Sequence, residues 1–253
     1  MLTKVQIKRI VKTSLLVGFT VVSIGFVKNK REEKECKIIE VNIEGEEENY
    51  FLTEMEVIDM ASARNQDSIY GGKLIHINQR AIEKRLKNNK FVKSVEVVED
   101  HRGGLSIYVK QNRPIARIFK KGNSFYVDKK GGILPLSNVY TARVPLVFCE
   151  NKFFSESQDS LILGNEKAFV DMLNMIDSDR FLKAQIAEIT LNKNDEIVLH
   201  TQISAQPVDF GRCEQLVDKF ESFRLVYENI LPRKGWGTYD NISLKYKDQI
   251  ICK

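Results

Sequence analysis

Residues that carry chemistry are scarce in this chain, and the few present are not arranged for it. Histidine occurs three times, and His76, His101 and His200 fall in three separate predicted elements. Neither His101, in a predicted turn, nor His200, between polar strand neighbours, has an acid placed to hold it. The four cysteines, Cys36, Cys149, Cys213 and Cys252, are scattered and include no Cys-x-x-Cys or zinc-ligand spacing. They read as small buried hydrophobes, with a Cys149–Cys213 bridge left open for an oxidising compartment. No Gly-x-Ser-x-Gly, His-Glu-x-x-His or P-loop pattern occurs. The glycine pairs Gly71-Gly72, Gly103-Gly104 and Gly131-Gly132 lack the strand-to-helix spacing that cradles phosphate. Asp128 reads as a turn former whose side chain bonds its own backbone, with nothing to make it an acid–base partner of Asp195 or Glu196. The expectation is a protein that is not an enzyme, with no catalytic, cofactor-binding or metal residues.

A surface of one sign is lacking too. Lysine and arginine number 39 against 34 aspartates and glutamates, a formal net charge of +5. Such a mixed surface does not point to nucleic acid. The densest basic cluster is Arg80, Lys84, Arg85, Lys87, Lys90 and Lys93. It has no interleaved aromatic to stack on bases, so it reads as a solvated helix face.

Only one long apolar run exists, Thr13–Val27, without a charge. As a helix it spans ~22 Å, against a hydrocarbon core of ~30 Å. Extension back to Ile10 lengthens it and brings in Lys12, whose stem can reach the headgroups. Two readings fit: an uncleaved anchor, or a signal peptide with small residues at Ser23 and Gly25. The apolar run continues through Phe26 and Val27, which favours the anchor. Lys4, Lys8, Arg9 and Lys12 precede it, while Lys28, Lys30, Arg31, Lys34 and Lys37 follow, so a count of cations does not orient it. The expectation is residues 1–12 as a cytoplasmic tail, 13–27 as the membrane helix and 28–37 as a charged linker.

From Ile38 the pattern alternates, with Ile39, Val41 and Ile43 on one face of a strand. Thr53 and Glu56 form a capping box, and Leu52 and Val57 have the spacing of a hydrophobic staple. Asn78 caps a second helix, with Ile77 and Ile82 as its staple and Leu86 one turn on. Two strands follow, Val92/Val95/Val97 and Leu105/Ile107/Val109, joined by turn residues at Asp100 to Gly104. The order strand, helix, helix, strand, strand predicts two helices on one face of a three-stranded sheet over residues 38–112. Pro114 cannot donate to a ladder and belongs at a strand start or a domain border. Its fixed torsion is expected to couple two sheets there.

Residues 113–253 read as a mixed β domain. Short strands run from Ile115 to VPLVFCE, and a helix covers about Glu166 to Ile176, with Phe169, Met172, Leu173 and Ile176 on one stripe. The strands IAEITLN, EIVLHTQ and QPVDFG come next. A longer helix carries Leu216, Phe220, Phe223, Tyr227 and Ile230, a stripe expected in the core. Gly235-Trp236-Gly237 reads as a tight connection. The run NISLKYKDQIICK is expected as one last strand, with Ile242, Leu244, Tyr246 and Ile250 on one face and Ser243, Lys245, Lys247 and Gln249 on the other. Lysine on a terminal strand discourages unwanted pairing, yet such an edge also accepts a strand from a chosen partner. The pattern alone fits an ordinary unpartnered edge equally well.

The anchor, the segments RLKNNKFVKSVEV and LSIYVKQNRPIARI, the hairpin FYVDKKGGILPL, the VPLV strand and the closing YDNISLKYKDQI together resemble the FtsQ/DivIB bacterial cell-division proteins. The join Arg-Pro-Ile-Ala followed by Tyr-Val-Asp-x-x-Gly carries most of the likeness. The chain departs from the family at Asn-Asn-Lys-Phe, where a proline and a bulky aromatic are more usual. The resemblance implies an α+β protein: one amino-terminal transmembrane helix, a POTRA domain (β-α-α-β-β), then a mixed β domain with helices packed on its sheet. It implies a non-enzymatic divisome scaffold at the division septum, single-pass in the cytoplasmic membrane with its carboxy-terminal part extracytoplasmic. Its expected partners are single-pass proteins of the FtsB/DivIC and FtsL types, with no nucleic acid and no small-molecule substrate, and its role is to regulate septal peptidoglycan synthesis. The implied partner-binding residues are Ile242, Ser243, Leu244, Lys245, Tyr246, Lys247, Asp248, Gln249 and Ile250, where Leu244-Lys245-Tyr246 matches the family's Leu-basic-Tyr. Two other readings are a POTRA-bearing transport or assembly factor and a secreted enzyme with a cleaved leader. Residues 115–253 lack the regular membrane strands of the former.

Overall fold

The structure, a computed structural model, describes residues 13–20, 22, 34–44, 51–63, 69–100, 102–150 and 165–253. Residues 13–20 and 22 are helical, with Leu15, Leu16, Val17, Phe19 and Val22 exposed. Eight consecutive helical residues rise only ~12 Å. Among the described residues no helix is long and apolar enough to cross a membrane. The expected span over 13–27 is thus not found as such, and its residues 21 and 23–27 lie outside the described set, as does His101. The chain divides into two units, residues 1–45 with 52–111 and residues 46–51 with 112–253.

The first unit is built as its alternation dictates. Strand β1 (Ile39–Glu44) is followed by helices α1 (Glu54–Ala61) and α2 (Gln79–Lys87), then strands β2 (Val92–Glu99) and β3 (Leu105–Gln111). The sheet order is β1-β3-β2, parallel between β1 and β3 and antiparallel between β2 and β3. Both helix starts are capped as the sequence predicts. Thr53 Oγ1 accepts from the Glu56 N–H at 3.2 Å while Glu56 Oε2 accepts from the Thr53 N–H at 2.9 Å, a complete capping box. Asn78 Oδ1 accepts from the Ala81 N–H at 3.1 Å. Val57, Ala61, Ile82 and Leu86 of the helices are buried, as are Val95, Val97, Leu105, Ile107 and Val109 of the strands. A single 3-10 turn, Leu74–His76, which periodicity did not reveal, lies in the loop before α2.

The second unit holds a nine-stranded mixed sheet, in the order β12-β11-β10-β9-β8-β7-β4-β5-β6. Its strands are β4 (Pro114–Lys120), β5 (Asn123–Asp128), β6 (Ile133–Leu134), β7 (Leu146–Cys149), β8 (Ile186–Leu191), β9 (Ile197–Thr201), β10 (Val208–Gly211), β11 (Ile242–Ser243) and β12 (Ile251–Cys252). Pro114 is the first residue of β4, where its missing donor costs the ladder nothing, and the register shifts just after it. Asp128 Oδ1 accepts from the backbone N–H groups of Lys130 and Gly132, both at 2.8 Å, and so makes the expected turn.

Helix α3 (Asn165–Ser178) buries Phe169, Met172, Leu173 and Ile176 in the same core as Ile118, Val147, Ile189 and Leu199 of the sheet. A short helix that the sequence did not announce, α4 (Arg180–Gln185), follows at once, capped by Asp179. Six residues are too few for periodicity to register. The long helix is α5 (Leu216–Leu225), continued by a π turn (Val226–Ile230) and α6 (Leu231–Lys234). Pro232 follows that turn; it has no N–H, and its ring crowds the carbonyl four residues back, which favours a widened turn just before it. Val226 and Leu231 join Phe220, Phe223 and Tyr227 inside, while Leu216 and Ile230 of the expected stripe are only partly buried.

Candidate functional site

The closing segment differs from the single strand that its alternation predicts. Ile242 and Ser243 pair in parallel with Val208 and Asp209 of β10, and the chain then turns back. Ile251 and Cys252 pair antiparallel with Ser243 and Ile242, making a terminal hairpin with β12 outermost. The Gln249 N–H bonds the Tyr246 carbonyl at 3.3 Å, and Asp248 takes a left-handed φ of 57°. Aspartate tolerates that conformation better than most residues, so Lys247-Asp248 serves as the centre of a tight turn. The Tyr-Lys-Asp-Gln stretch carries that signal, but strict alternation on either side masks it.

The nine predicted partner-binding residues therefore separate into four groups. Ile242 and Leu244 are buried in the core, and the backbone N–H groups of both point into the sheet, to Pro207 and Asp209 carbonyls at 3.2 and 2.8 Å. Lys245 is held by two carboxylates, with Nζ 3.0 Å from Glu196 Oε1 and 3.3 Å from Asp209 Oδ2. Tyr246 is 58% exposed, and Lys247, Asp248 and Gln249 are exposed with it. Ser243 and Ile250 lie between these extremes. Tyr246 and Ile250 do not share a strand face with Ile242 and Leu244, because the turn interrupts the ladder.

The outer strand, which the sequence reading did not separate, is the one with an unused side. Asn241 and Lys253 exchange backbone hydrogen bonds at 3.2 and 3.0 Å. In an antiparallel ladder the next pair, Ile242 with Cys252, is then the non-bonded one, so the Cys252 N–H and C=O point away from β11. The edge of this sheet thus presents the main-chain N–H and C=O of Cys252, near the exposed Tyr246–Gln249 turn. Chemically such an edge takes an extended backbone.

The Lys245 clamp sets the base of that turn. Hydrogen bonding to Lys245 is the largest influence on Glu196 and holds its carboxyl below the usual range. In return the bond to Glu196 is the largest influence on Lys245 and holds its ammonium above the usual range. The lysine stem crosses Gly211, whose φ is 74° and where an added Cβ would stand 2.8 Å from Lys245 Cγ. Glu196 is itself positioned by Asn192, whose Oδ1 accepts the Glu196 N–H at 3.0 Å in the β8–β9 turn.

Elsewhere in the unit a pocket of about 160 Å³ is lined by Ala168, Phe169, Leu191, Asp195, Arg212, Cys213 and Glu214. Burial pushes the Cys213 thiol up to about 12, and its Sγ lies 3.8 Å from Met172 Sδ, surroundings that disfavour the thiolate. All four cysteines are free thiols, so the Cys149–Cys213 bridge left open by the sequence is not formed. Trp236 is 38% exposed and leans on Tyr227, their ring centroids 6.0 Å apart, beside Gly235 at a φ of 108°. Among the described residues no cluster of histidine, cysteine and carboxylate side chains is placed to hold a metal ion.

Comparison with known proteins bears on both units. No curated protein matches the chain. A family model described as a POTRA-like domain matches residues 34–110. A second, described as FtsQ/DivIB, C-terminal related, matches residues 113–253, more than half of the chain. With a β-α-α-β-β unit followed by a mixed sheet in the same two stretches, the chain belongs to the FtsQ/DivIB family of cell-division proteins.

Proposed function

We propose that this protein is a non-enzymatic, membrane-anchored scaffold of the division machinery that captures small single-pass proteins of the FtsB/DivIC and FtsL types. Capture would occur by strand addition on the β12 edge, and the bound complex would regulate septal peptidoglycan synthesis. The layout that goes with this function is a cytoplasmic tail at 1–12, an anchor at 13–27, a linker at 28–37, a POTRA domain at 38–112 and the FtsQ-type β domain at 113–253 at the extracytoplasmic side of the septum. The observation that carries the reading is the terminal hairpin, where an outermost strand with outward peptide groups borders an exposed turn of Tyr246, Lys247, Asp248 and Gln249. Main-chain bonds would supply affinity there, and the turn side chains specificity. Ile242, Ser243 and Leu244 would support the edge from within the sheet and Lys245 would position it, while Tyr246–Ile250 would meet the partner.

The test is photo-crosslinking from Lys247 in living cells, with the adduct identified by mass spectrometry. A small membrane-anchored coiled-coil protein is the expected adduct. No adduct at Lys247, with one from Lys87 on α2 instead, would remove the binding site from the β domain.

A further inference from the structure

We propose that the first unit makes a second membrane contact, in which the loop Tyr70–His76 and the segment Lys34–Ile38 rest on an anionic phospholipid surface. This rests on the anchored reading above and adds to it a binding surface. The two segments are one structural patch. The Cys36 N–H bonds the Gly72 carbonyl at 2.8 Å, the Gly71 N–H bonds the Cys36 carbonyl at 2.8 Å, and the Leu74 N–H bonds the Lys34 carbonyl at 3.0 Å. Glu35 and Lys73 form an antiparallel bridge between these bonds. Among the described residues after the apolar run, Lys34 is the first, and it already bonds this loop seven residues after Val27, where the run ends. Even fully extended, that distance is at most about 25 Å. Whatever path the intervening residues take, the patch stays close to the bilayer that holds the anchor.

The patch also has the composition of an interfacial surface. Ile38 is 49% exposed, Tyr70 69% and Ile75 51%, which gives the patch three large side chains open to water. Lys34, Lys37 and Lys73 are exposed among them, against the single carboxylate of Glu35. Apolar tips beside lysine stems suit the headgroup region, where the tips enter the acyl boundary and the ammonium groups meet lipid phosphates. A nucleic acid would not favour isolated isoleucines.

The measurement uses the full chain in vesicles. In a Trp236→Phe background, Ile75→Trp places the sole tryptophan on the patch, and brominated phosphatidylglycerol in the vesicles quenches indole that reaches the acyl boundary. The parent protein, with Trp236 alone, is the reference. The proposal expects roughly twofold or greater quenching of the introduced tryptophan, absent for the parent and lost when Lys34, Lys37 and Lys73 are all changed to glutamate. Quenching no deeper than in the parent overturns it, and so does equal quenching in brominated phosphatidylcholine. Resistance to carbonate extraction, measured on the same vesicles, reports the anchor separately, so failure of the anchor and failure of the patch are distinguishable.

Discussion

At the scale of single residues, Lys245 is the side chain whose role changes most between sequence and structure. On an alternating strand it reads as an outward cation. In the fold it closes a clamp on Glu196 and Asp209. Lys245→Met should therefore lower stability by about 1 kcal/mol, read from urea midpoints. The pH dependence isolates the charge. Glu196 is depressed, so its contribution is complete above the ordinary carboxylate value and fades as pH falls through the lower folded one. Lys245 is raised, so its contribution is complete below the ordinary lysine value and fades as pH rises through the higher folded one. The gap between parent and Lys245→Met should be widest around neutrality and close toward both extremes. A gap constant with pH would mean that the lysine stem, not its charge, does the holding. Gly211 beneath it has a left-handed backbone and no room for a methyl group. Gly211→Ala should cost about 1–3 kcal/mol in the same assay, and an unchanged midpoint would contradict the close approach.

At the scale of elements, the terminal hairpin decides how the edge is used. If partners add to β12, a chain ending at Gln249 should lose them in co-purification, because the strand offering Cys252 is gone. If β11 is the true acceptor, the same truncation uncovers it and capture should rise. The truncated edge also loses the backbone bonds of Asp240, Asn241 and Lys253, so a fall in stability of about 1–3 kcal/mol accompanies either result. Tyr246→Ala is the cleaner side-chain probe. Its ring is exposed and supports no core, so thermal unfolding should stay within about 0.5 kcal/mol of the parent while partner recruitment drops. Lys245→Glu cannot serve this purpose, since it would set three carboxylates against one another.

At the scale of the whole molecule, one measurement reports on the entire thiol set. Alkylation of the unreduced, denatured chain should modify Cys36, Cys149, Cys213 and Cys252 alike, adding four labels to the intact mass. Two labels would mean that a bridge closes in the cell's compartment. The native protein should react slowly, because burial raises the thiols of Cys36, Cys213 and Cys252.

Much of the architecture is legible in sequence because it rests on local rules. A capping box needs only Thr53 and Glu56 at their spacing, and β2 and β3 need only alternating Val92 to Val109 with turn residues between. The proline at the head of β4 and the stripe of α3 follow from the same kind of reasoning. Helix α4 escaped because it is shorter than the periodicity that would reveal it. The π turn escaped because a phase shift of one residue leaves most of the apolar stripe in place. The edge was half legible: its position in the sequence was, its form was not. Alternation from Ile242 to Cys252 is satisfied equally by one long strand and by two short ones facing each other, since both keep Ile242 and Leu244 inside. Composition, capping and alternation thus determined two α+β units and a closing β segment from the sequence alone. Only tertiary pairing decided that Lys245 turns inward to two carboxylates and that the chain doubles back, because ladder bonds and ion pairs join residues that no local pattern connects.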